Sequence, residues 1–192
     1  MQCLLREKLL ERAIALAQVS AIYRTEAQEF VGAYIAWLEQ TERELAGLRA
    51  PVSILLQAEK SLVMAVLDGS VPAVLQNEKS VRKRQRAVAA QSLERISKEI
   101  HAKIESIDHV LNQSKEKLCH AVAVLATKAP DLYASLELNQ TSIDAIWRQL
   151  AALPETVPMF NYFCAALTST DRNYVLMDII SNIVGNRASA ST

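Results

Sequence analysis

The sequence predicts an all-α protein, an elongated helical bundle with two long coiled-coil-like helices and a C-terminal cap of short helices. Three observations lead there. Chain breakers are few, with four glycines and five prolines, and residues 73–129 contain neither. Large apolar side chains recur at steps of three, four and seven, the spacing that lines one face of a helix. No stretch of useful length alternates apolar and polar residues at period two, so strand content should be near zero.

The first helix is expected over residues 2–48. Leu9, Leu16, Tyr23, Phe30 and Trp37 repeat every seven residues, with the mostly smaller Ala13, Ser20, Ala27, Tyr34 and Thr41 four residues after each. A strict seven-residue repeat keeps one seam facing a partner helix in a left-handed supercoil. Gly47 followed by Pro51 closes the helix. Pro51 suits the first turn of a second helix over 51–67, which Leu55, Leu56, Leu62, Val63, Val66 and Leu67 make largely buried. Gly69 suits a left-handed position after it, and Pro72 the start of the next element.

A third helix is expected over 73–127. Its seam reads Leu93, Ile96, Ile100, Ile104, Ile107, Leu111, Ser114, Leu118, Val122 and Leu125. At 1.5 Å per residue it would be ~80 Å long. The short second helix cannot hide such a seam, which leaves apolar surface for other helices, a second copy or another protein. Pro130 stops this helix, and short helices follow over 130–138, 142–152, 157–168 and 171–185. Thr141 and Thr170 are the expected N-caps of the second and fourth of these. Gly185 ends the last, the tail 186–192 is expected to be disordered, and residues 1–185 read as one helical domain.

The aromatic residues fall into two groups, Tyr23, Phe30, Tyr34 and Trp37 in the first helix, and Tyr133, Trp147, Phe160, Tyr162, Phe163 and Tyr174 near the C-terminus. Large rings cluster when buried. The expectation is that the C-terminal helices pack over the aromatic part of the first helix. A pocket, if the chain has one, is expected among Trp147, Phe160, Phe163 and Tyr174.

Composition narrows the function classes. A hydrophobic fraction of 51% with 22% charged residues is globular, not disordered. Lysine plus arginine equals aspartate plus glutamate, 21 each, whereas nucleic-acid binders are usually basic. No apolar run approaches the ~20 residues of a membrane span, and Met1–Lys8 lacks the apolar core of a signal peptide. The expected location is cytoplasmic. Cys3, Cys119 and Cys164 are isolated, which fits free thiols better than disulfides or zinc ligands.

One charge run stands out, Lys79, Arg82, Lys83, Arg84 and Arg86. It would suit a polyanion, a membrane surface or nucleic-acid phosphates, but it has no aromatic neighbour in sequence for base stacking. A solvated helix start explains the same residues. His101, Glu105, Asp108 and His109 can share a helical face, yet the Glu-x-x-His pairs of carboxylate-bridged metal bundles are absent. Glycine-rich phosphate loops and the Gly-x-Ser-x-Gly nucleophile motif are absent too. The reading is therefore non-enzymatic, without cofactor, metal or small-molecule substrate. The expected function is a protein–protein interaction module, a scaffold, adaptor or regulator that binds a protein partner or itself as a homodimer. Polyanion, membrane-surface or nucleic-acid binding through 79–86 is the alternative.

Overall fold

The computed structural model describes residues 1–25, 29–70 and 80–190, with side chains as far as residue 186. The described residues form eight helices and no strand, as the breaker pattern predicts. They are α1 (Gln2–Arg24), α2 (Phe30–Gly47), α3 (Val52–Leu67), α4 (Val81–Lys128), α5 (Pro130–Ala134), α6 (Gln140–Ala152), α7 (Val157–Ala166) and α8 (Ser169–Ala190). The chain divides into two compact units, one of Leu4–Glu105 and one of Met1–Cys3 with Ser106–Thr192.

In the first unit the expected single helix over 2–48 is two helices, so the chain has one long helix, not two. The Trp37 indole N–H donates to the Arg12 carbonyl at 3.1 Å. In one straight helix those residues would lie about 37 Å apart. Residues 25–29 between the two helices contain no glycine or proline, and the Thr25 hydroxyl donates to the Ile22 carbonyl at 3.0 Å at the end of α1. Burial drives the fold-back. The seven-residue repeat survives on both sides of the turn, with Leu9, Leu16, Phe30 and Trp37 buried, so folding back sets two apolar seams facing a common core.

α2 and α3 form a second hairpin. Both end in the same motif. Ala50 N–H bonds to the Leu45 carbonyl and Arg49 N–H to the Ala46 carbonyl; Ser70 and Gly69 repeat this with Ala65 and Val66. The left-handed residue of the second cap is Gly69, as expected (φ 100°), but that of the first is Arg49 (φ 54°) and not Gly47. α3 is less buried than its leucines suggest. Leu56, Val63 and Val66 face the core, whereas Leu62 is 38% exposed and Ile54 72%.

α4 is an uninterrupted helix from Val81 to Lys128, and the start expected near residue 73 lies outside the described residues. Its seam is consumed internally, contrary to the expectation of a large uncovered edge. In the first unit Val88, Ala89, Ile96, Ile100 and Ile104 are buried. In the second, Leu118, Ala121, Val122 and Leu125 join one core with Leu136, Ile143, Ile146, Leu150, Phe163, Leu167, Leu176 and Ile180. The C-terminal helices thus enclose the far part of α4. Ser114 on the seam is fully buried, and its hydroxyl has no hydrogen-bond partner.

The caps of the second unit sit two residues before the expected ones. Asn139, not Thr141, caps α6 by accepting from Ser142 N–H at 2.8 Å. Thr168, not Thr170, caps α8 by accepting from Asp171 N–H at 3.2 Å. α8 then runs through Gly185 to Ala190 instead of stopping there, since a helical glycine costs only about 1 kcal/mol.

Asp171 ties the N-terminus to this unit. Its carboxylate is 1% exposed and accepts from Gln2 N–H at 2.7 Å, Cys3 N–H at 3.0 Å and the Thr168 hydroxyl at 2.8 Å, with the terminal amine at 3.2 Å. It supplies the anion that the first turn of α1 lacks. Burial alone would push the carboxyl up; the hydrogen bonds from Cys3, Gln2, Thr168 and the terminal amine outweigh it and hold the pKa at about 2.

A group held below its ordinary value of 3.8 stabilises the fold above that pH and loses its contribution as pH falls through about 2. Acid titration followed by circular dichroism should therefore show Asp171→Asn less stable than the parent by about 2 kcal/mol at pH 6, with the gap closing below pH 4. The two helix ends give a paired test by thermal melting. Arg49→Gly should stabilise the chain by about 1 kcal/mol, and Gly69→Ala should destabilise it by about as much.

Candidate interaction site

The described members of the basic run, Arg82, Lys83, Arg84 and Arg86, have different surroundings. Lys79 lies outside the described residues. Arg86 is taken up by the end of α1: its guanidinium donates to the Tyr23 carbonyl at 2.7 Å and lies 4.6 Å from the Tyr23 ring centre. An aromatic therefore does sit beside this run, brought by the fold-back of α1 rather than by sequence. Arg84 is half-buried and engaged as well. Arg82 and Lys83 remain exposed in a first helical turn that has no acidic residue.

The aromatic candidates form two separate clusters, one in each unit. Phe30, Tyr34 and Trp37 stack along α2 with centroids 6.2 and 6.1 Å apart, and Tyr23 meets Phe30 edge-on at 4.9 Å. In the other unit Trp147 packs against Phe160 at 6.2 Å and Phe163 at 5.9 Å. Phe163 is fully buried, whereas Tyr174 points outward at 55% exposure. One cavity in this core, of about 10 Å³, is lined by Val122, Leu125, Leu132, Tyr133, Leu136 and Ile146. That is about one water-sized probe, too small for an organic ligand. In the first unit a groove of about 400 Å³ opens beside Tyr23, Arg24, Phe30, Gln91 and Glu94.

His101 and His109 bond to residues of α4 itself. His101 Nδ1 lies 2.6 Å from the Ser97 carbonyl, and His109 meets the Gln113 amide at 3.1 Å. Among the described residues no group of histidine, cysteine, aspartate or glutamate is placed to hold a metal ion. No helix there is long and apolar enough to cross a membrane.

Polar chemistry inside the first unit is devoted to registering helices. The Tyr34 hydroxyl meets Ser92 Oγ at 2.9 Å in the core, linking α2 to α4, and burial pushes its pKa up. Glu59 on α3, 8% exposed, accepts two hydrogen bonds from Arg95 on α4, at 2.9 and 2.8 Å. Lys60, the neighbouring residue of α3, pairs with Glu42 on α2. These two contacts fix the rotation of α3 about its own axis. They turn its only charged side chains toward its neighbours and leave Ile54, Gln57, Ala58, Ser61, Leu62 and Met64 outward.

Sequence reasoning missed this face because it counted leucines without asking which side they occupy. The signal was present. Positions 54, 58 and 62 are four residues apart on one ridge, and the charges at 59 and 60 lie off it.

No family model, curated protein or solved structure matches the chain.

Removing one partner of the Glu59–Arg95 pair strands a buried carboxylate. Arg95→Ala should cost about 2 kcal/mol in urea unfolding, the pair being open to solvent on its arginine side. Glu59→Met combined with Arg95→Met should recover most of that loss.

Proposed function

We propose that the chain is a non-enzymatic protein–protein interaction module, a helical scaffold, adaptor or regulator. The observation that carries this reading is the outward face of α3. Ile54 is 72% exposed and Leu62 38% on a helix whose charged residues are both paired to neighbouring helices. Exposed apolar side chains aligned on one helical ridge are the surface onto which a partner helix docks. The docking surface thus moves from the long helix, whose seam is buried within the chain, to the short helix α3.

Binding to a polyanion or an anionic membrane surface is the second reading, and one feature favours it. Arg82 and Lys83 are exposed in the first turn of α4, where the helix dipole already presents positive charge.

The two readings respond oppositely to salt and to mutation. With the full chain immobilised and exposed to a lysate of its native cell, an apolar partner on α3 should survive a rise from about 50 to about 500 mM salt. It should be lost from Ile54→Glu by at least tenfold and kept by the double variant Arg82→Glu/Lys83→Glu. Retention that falls steeply with salt and disappears in the double variant would replace the adaptor reading with the polyanion one.

A further inference from the structure

We draw no further inference here: the strongest candidate, the groove of about 400 Å³ between the end of α1 and α4 beside Tyr23, Phe30 and Gln91, offers as charges only the exposed Arg24 and a Glu94 carboxylate already paired with Lys98, and nothing in the structure shows what covers it.

Discussion

The seam of α4 is the constraint on which the rest depends. A continuous helix from Val81 to Lys128 carries isoleucines, leucines and valines along one side throughout its length. That apolar surface has to leave water, and among the described residues no other helix is long enough to cover it alone. The chain meets this demand with two different sets of shorter helices. The early part of the seam lies in a core shared with α1, α2 and α3, and the late part is enclosed by α5 to α8. The fold-back of residues 2–48 into two helices follows from the same demand. An unbroken rod there would have presented one seam where the core needs two.

Polar groups then decide register rather than add much stability. Apolar side chains tolerate rotation of one helix against another, since the hydrophobic effect has no direction. Hydrogen bonds and ion pairs do not. Tyr34 with Ser92, Glu59 with Arg95, and Lys60 with Glu42 each join two helices of the first unit. Together they orient α3 so that one ridge faces the core and another faces out. Ser114 is the contrary case, a hydroxyl in the second unit's seam with nothing to bond to, and its small size is the only property the packing uses.

Much of this was legible in the sequence, and the omissions share one cause. Helix content, the long helix, the left-handed cap at Gly69 and the breaks at Pro51 and Pro130 followed from spacing and from the local chemistry of glycine and proline. The break between α1 and α2 did not, because residues 25–29 include good helix formers and only the distant contact of Trp37 with Arg12 makes it necessary. Arg49 in a left-handed conformation was invisible for the same reason, with Gly47 two residues away as the more obvious stop. The candidate site depended still more on long-range partners. Arg86 looked like part of a cationic run until Tyr23 claimed it, and α3 looked buried until Glu59 and Lys60 fixed which way it turned.

The chain's two tryptophans give each unit its own optical signal. Trp37 lies in the core of the first unit, stacked on Tyr34; Trp147 belongs to the second, against Phe163 and with the Arg172 guanidinium 5.6 Å from its ring. Their emission should therefore differ in wavelength and in sensitivity to quenchers. Replacing either one with phenylalanine leaves a chain whose fluorescence reports on a single half. Whether α4 transmits the loss of one core to the other, or lets each melt alone, can then be watched directly.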